Sequence, residues 1–160
     1  MKLCFSTLGC CDRDLESIIA LARQYGISAL EIRGIGGVMD NAAIEVLSET
    51  EREKTLALLS ENGIKPVVLG TSCSFHNVER LEAVMAEGET CVRLAEAMGI
   101  KYIRVFGDRI AEKYGDSQSR VGEGIAQLCS LSDKVTVLLE VHGECNTIEA
   151  LSPIINEMSI

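Results

Sequence analysis

Val135-Thr136-Val137-Leu138-Leu139-Glu140-Val141-His142-Gly143 begins as an apolar, β-branched run and ends in a carboxylate and an imidazole. The run has the pattern of a parallel strand buried on both faces. Strand side chains alternate with period two, so Glu140 and His142 project to one side while Leu139 and Val141 project to the other. A carboxylate near the end of a buried strand needs a partner, because a charge buried alone is costly. A metal ion, a polar substrate or a cation of the chain itself would serve, and Arg33 and Arg104 are the candidate salt-bridge partners.

Outward from this strand the chain repeats itself. Tyr25-Gly26-Ile27, Asn62-Gly63-Ile64 and Met98-Gly99-Ile100 each follow a helix-period stretch and precede an apolar run. Glycine just past a helix end supplies the left-handed C′ conformation, and the isoleucine opens the next strand. The repeat therefore predicts a series of βα units, each of roughly 30 residues. Strands are expected at 2–8, 29–33, 65–69, 101–106 and 135–143. Helices are expected from a cap near Asp12 to Tyr25 (buried stripe Leu15, Ile18, Ile19, Ala22), from Ser48 to Asn62, from Asn77 to Met98, from Ser117 to Ser132, and from Ile148 to Met158. Ser48-Glu49-Thr50-Glu51, and Asn146 with Glu149, have the spacing of capping boxes. Gly34-Ile35-Gly36-Gly37 follows a strand with no helix directly behind it, so it reads as a βα loop and only weakly as a phosphate loop.

The chain has 160 residues, 47% hydrophobic and 24% charged, which suits one domain spanning 1–160. A formal charge of −9 without a basic stripe argues against nucleic acid and against an anionic membrane surface. No run approaches the ~20 apolar residues of a membrane helix, and the start is too short and polar for a signal peptide. Seven cysteines at irregular positions, without Cys-x-x-Cys, predict free thiols and a cytoplasmic protein.

The polar residues gather at strand ends: Ser6, Thr7, Glu31, Arg33, Thr71, Ser72, His76, Asp108, Glu140 and His142. Parallel strands bring these ends to one face, where parallel α/β folds place their sites. Five units suit either an open doubly wound sheet or part of a (β/α) barrel. Leu-Glu-Ile-Arg at 30–33 and Leu-Glu-Val-His at 139–142 alternate, which turns one strand face to a polar interior, as in a barrel mouth.

Leu138-Leu139-Glu140-Val141-His142-Gly143-Glu144-Cys145-Asn146-Thr147, with Ile103-Arg104-Val105-Phe106-Gly107 and Ala29-Leu30-Glu31-Ile32-Arg33, resembles the sugar phosphate isomerase/epimerase family, the xylose-isomerase-like TIM barrels. The resemblance runs unit by unit through the N-terminal five-eighths of such a barrel. It implies an isomerase or epimerase acting on a sugar or sugar phosphate, with a divalent metal (Mn, Mg or Zn) assisting proton transfer next to a carbonyl. Of the family's four usual metal ligands it places one here, Glu140, so metal binding by this chain is expected to be weak. It gives Glu140 and His142 catalytic roles and puts Glu31, Arg33 and His76 along the substrate pocket. The implied partner is a small carbohydrate. Two other readings are a shortened barrel that binds a sugar-like ligand or assembles without catalysing, and an endonuclease-IV-type nuclease. Two histidines and an acidic chain oppose the nuclease. An open partial barrel is also expected to form homo-oligomers through its strand edges.

Overall fold

The computed structural model describes residues 3–110 and 115–158. Five parallel strands, β1 (Cys4–Ser6), β2 (Ala29–Ile32), β3 (Lys65–Ser74), β4 (Tyr102–Asp108) and β5 (Thr136–Gly143), form one sheet in the order β1-β2-β3-β4-β5. The helices between and after them are α1 (Leu15–Gln24), α2 (Arg52–Glu61), α3 (Leu81–Ala97), α4 (Ser117–Cys129) and α5 (Ile148–Glu157). A doubly wound sheet would have strand neighbours out of sequence order. Consecutive parallel neighbours, whose crossovers are right-handed as a general rule, instead place the helices on one side. The architecture is a partial (β/α) barrel, with a helical outside and a concave strand face.

The repeat works as its glycines suggest. Ile27 N–H reaches back to the Ala22 carbonyl (2.9 Å) and Gly26 N–H to Arg23 (3.1 Å), closing α1 in a Schellman motif. Ile64 to Leu59 with Gly63 to Ser60, and Ile100 to Ala95 with Gly99 to Glu96, repeat the same bonds. The three glycines have φ of 65°, 67° and 66°.

Along β4, Ile103, Val105 and Gly107 are buried, while Tyr102, Arg104, Phe106 and Asp108 are half-buried on the alternate face. Ile103 and Val105 belong to the core beneath the helices with Ile32, Leu69, Val92 and Ile125, and the expected stripe of α1 is buried in full.

Several element limits differ from the sequence expectation. Lys2, expected in the first strand, lies outside the described residues; β1 gives way at Thr7 to a 3-10 turn. The box at Ser48 does not form: the Ser48 hydroxyl meets Thr50 Oγ1 at 3.2 Å, Glu51 is held by Lys54, and α2 starts at Arg52. Asn146 is not the cap of α5; Thr147 Oγ1 accepts from Ala150 N–H instead. Asn77 caps a 3-10 turn at Val78–Arg80 ahead of α3. Strands β3 and β4 run further than expected, to Ser74 and Asp108, which carries their polar residues into the sheet.

Candidate active site at the strand ends

The glycine loop after β2 is the first feature to resolve. Ile35 and Val38 pair across a tight turn, with Gly36 at φ 64° and Gly37 at φ 80°. Gly36 N–H donates to the Arg13 carbonyl (2.8 Å) and Gly37 N–H to the Cys11 carbonyl (2.7 Å). Those amides tie the loop to the turn after β1 and are not turned toward a phosphate. Thr7 is likewise structural: fully buried, its hydroxyl donates to the Gly34 carbonyl (2.7 Å) and accepts from Arg33 N–H (2.8 Å). Thr71 staples β3 to β4 by donating to the Arg104 carbonyl at 2.8 Å.

On the concave face, strand register builds a chain of charges. Glu31 lies opposite Val68, Gly70 opposite Arg104, and Phe106 opposite Glu140. Arg104 reaches in both directions. Its Nε donates to Glu31 Oε1 (2.7 Å), its Nη2 lies 2.6 Å from the same oxygen, and its Nη1 lies 2.6 Å from Glu140 Oε2. The side chains are 13% exposed for Arg104, 18% for Glu31 and 38% for Glu140, so the pair with Glu31 is the buried one. The partner of Glu140 is therefore Arg104 and not Arg33.

Gly70 makes the approach possible, since a Cβ there would lie 2.6 Å from Glu31 Oε1 and 3.0 Å from Arg104 Nη2. The guanidinium also stacks over Phe106, 4.6 Å from its centroid, and His142 meets the same ring edge-on at 5.4 Å. His142 is exposed. The order Glu31, Arg104, Phe106, His142, with Glu140 beside them, runs from β2 to β5 and passes over Gly70 of β3.

A second group lies at the ends of β3 and β4. Ser74 Oγ is 2.7 Å from His76 Nδ1 and donates to Asp108 Oδ2 at 3.2 Å; the ring nitrogen is 3.7 Å from that carboxylate. A hydrolytic triad places its hydroxyl and carboxylate on opposite ring nitrogens. Here both sit at Nδ1, so the group is no activated nucleophile. Desolvation lowers the His76 pKa below its ordinary value, aided by Arg109, Arg120 and Arg80 and opposed by Asp108. Asp108 is the one described non-glycine residue at positive φ (61°), a conformation Asp adopts more readily than most. Gly143 allows it, because a Cβ there would lie 2.6 Å from the Asp108 carbonyl oxygen.

The expected site residues thus fall into neighbouring groups. Glu31 and Glu140 share Arg104, His142 stacks beside them, Arg33 is held by neutral acceptors near Gly70, and His76 belongs to the Ser74–Asp108 cluster. Sequence reasoning named Arg104 as a candidate partner of Glu140 and placed Ser72 and Asp108 at the strand ends without a role, and it left out Ser74. The alternation Tyr102-Ile103-Arg104-Val105-Phe106-Gly107-Asp108 and the spacing Ser74-x-His76 are the signals that reach them.

As for a divalent ion, no three His, Cys, Asp or Glu side chains are grouped to hold one among the described residues. The donor set fits such an ion as a single ligand, Glu140, one of whose oxygens is already on Arg104.

A family model described as xylose isomerase-like TIM barrel matches residues 19–159. The chain belongs to that family. Solved structures agree on the fold. The IolI protein with a bound zinc atom is 20% identical at a TM-score of 0.74, covering 100% of this chain and 60% of that one. The probable 3-DHS dehydratase AsbF of Bacillus anthracis, involved in petrobactin synthesis, is 16% identical at a TM-score of 0.75, with the same coverage. A xylose isomerase-like protein of Mycobacterium smegmatis, in complex with magnesium, is 13% identical at a TM-score of 0.69, covering 98% of this chain and 60% of that one. Two of these relatives carry a divalent metal. The chain spans 60% of the length of these structures. No curated protein matches it significantly.

Proposed function

We propose that this chain is the N-terminal part of a sugar or sugar-phosphate isomerase or epimerase that moves a proton next to a carbonyl. The observation that carries the reading is Glu140 at the barrel mouth, fixed by Arg104, with the His142 imidazole on the same strand face. Glu140 takes the proton from the carbon beside the carbonyl and returns it to the neighbouring carbon or to the opposite face. His142 orients a substrate hydroxyl or donates to the oxygen on which negative charge grows. Glu31, Arg33 and His76 line the pocket. A divalent ion ligated in part by Glu140 would polarise the substrate carbonyl, with its remaining ligands supplied by later strands of a complete barrel.

The test is proton exchange: full-length protein with manganese is incubated in heavy water with a panel of ketoses and their phosphates, and NMR follows deuterium at the carbon beside the carbonyl. Incorporation that disappears in a folded Glu140→Gln variant supports the reading; incorporation unaffected by the substitution defeats it.

One observation favours a second reading, a non-catalytic module binding a sugar-like ligand: Glu140 already has a cation of the chain beside it, Arg104 Nη1 at 2.6 Å, although that nitrogen makes no hydrogen bond. That reading expects ligand binding without exchange and no stabilisation by manganese.

A further inference from the structure

Two arginines share one floor of the mouth, and they are balanced differently. A Cβ at Gly70 would lie 2.6 Å from Glu31 Oε1, 2.9 Å from Arg33 Cδ and 3.0 Å from Arg104 Nη2, so all three side chains converge over that glycine. Arg104 is ion-paired with both Glu31 and Glu140. Arg33 is not. Its Nη1 donates to the Met39 carbonyl (3.0 Å) and its Nη2 to the Ser72 hydroxyl (2.7 Å), both neutral acceptors. Among the described residues no ion pair joins Arg33 to a carboxylate.

A guanidinium has five N–H donors, so donors remain beyond these two bonds. Among the described residues the Arg33 Nε has no hydrogen-bond partner, yet it is not one of the buried unpartnered atoms, so this donor stays within reach of solvent. The side chain is held in place before any ligand arrives, which limits the rotamer entropy lost on binding. Its planar fork matches two oxygens of one anion.

We propose that Arg33 anchors an oxyanion of the substrate, a carboxylate or a phosphate, so that the site takes an acidic polyol in preference to a neutral sugar. The inference rests on the proposed function for the location of the site and adds its substrate class. The anion lies on the concave side. Behind Met39 and Ser72 is a cavity of about 470 Å³ that Asp40 and Glu87 also line, and those carboxylates oppose a second negative charge. A purely structural Arg33, tying the loop after β2 to β3, would not distinguish charged from neutral ligands.

The test is calorimetry on full-length protein in low-salt buffer with a chelator, using three matched probes: glucitol, gluconate and glucitol 6-phosphate. At least one anion should bind about tenfold or more tightly than glucitol, as a charged, forked contact warrants. Which anion does so separates a carboxylate from a phosphate substrate. In Arg33→Gln the preference should vanish, the affinity for the favoured anion falling to that for glucitol in the same variant. Equal binding of the three probes, binding of none, or an undiminished preference in folded Arg33→Gln overturns the proposal. If Arg33→Gln does not fold by circular dichroism, Arg33→Lys decides, since it keeps the charge and loses the fork: a reduced preference supports the proposal and an unchanged one overturns it. Neither metal nor turnover enters the measurement, so its failure is distinct from a failure of proton exchange.

Discussion

At the scale of single residues, the Glu31–Arg104–Glu140 chain sets the energetics of the mouth. Breaking a buried ion pair is costly because it strands a charge, whereas a partly exposed pair is screened by water. Glu140 is the more exposed carboxylate, and without it Arg104 keeps Glu31. Glu140→Gln should therefore cost about 1 kcal/mol or less. Arg104→Met leaves two carboxylates facing one another and should cost roughly 3 kcal/mol or more. Glu31→Gln should fall between them. Urea denaturation of the four proteins gives the order, and a Glu140→Gln variant as unstable as Arg104→Met would make Glu140 a structural residue first.

His76 supports a second prediction at this scale. Its folded pKa lies below the unfolded value, chiefly through desolvation, so the unfolded state binds more protons across that interval. Its contribution to stability is therefore complete above the unfolded pKa of about 6.5 and is lost as pH falls toward the lower folded value. Arg80, Arg109 and Arg120 push in the direction of the shift and Asp108 against it. His76→Asn should flatten the fall in melting temperature on the acid side of that window. An unchanged slope would show that other groups govern it. The same-side placement of Glu140 and His142 was legible because period-two alternation is local. The Glu31–Arg104 pair spans 73 positions, and only the strand order makes it visible.

At the scale of elements, what was legible was the repeat, and the reason is physical. The Gly-Ile signature belongs to Schellman motifs whose bonds close within one helix turn, so local sequence suffices. The caps were less legible. Ser48 and Asn146 have the right spacing, but the Ser48 hydroxyl turns to Thr50 and leaves α2 without a side-chain cap, while Thr147 takes the place of Asn146. The floor glycine was not legible at all. Gly70 has ordinary backbone and is required for the space above it, a property of three neighbouring strands. Gly70→Ala should cost about 1–3 kcal/mol, because the new methyl group must displace the Glu31 and Arg104 side chains. The loss should be smaller in an Arg104→Met background, where part of the collision is gone. Additive losses in that double-mutant cycle would show that the glycine serves some other contact.

At the scale of the molecule, the fold follows from strand order: sequential parallel neighbours, with crossovers of the usual hand, curl the sheet and gather the polar strand ends on its concave side. Among the described residues, β1 and β5 each have one strand neighbour, and the two edges differ. β1 is three residues long and a poor template for pairing. β5 has eight residues and leaves Leu138 38% and Val141 54% exposed, one on each face of the strand. An apolar edge of that length, with unpaired backbone donors and acceptors, invites a further strand, either from a longer chain completing the barrel or from a second copy. The 160-residue chain alone is accordingly expected to self-associate as concentration rises, through β5. Its charge of −9 opposes association at low salt, so added salt should strengthen it. Leu138→Lys puts a charge on the exposed edge and should weaken the self-association without lowering helix content. Sedimentation velocity over a concentration series, at two salt levels, reads all three effects. A monodisperse monomer throughout would mean that the β5 edge is protected in solution and that the concave face needs no further strand to cover it.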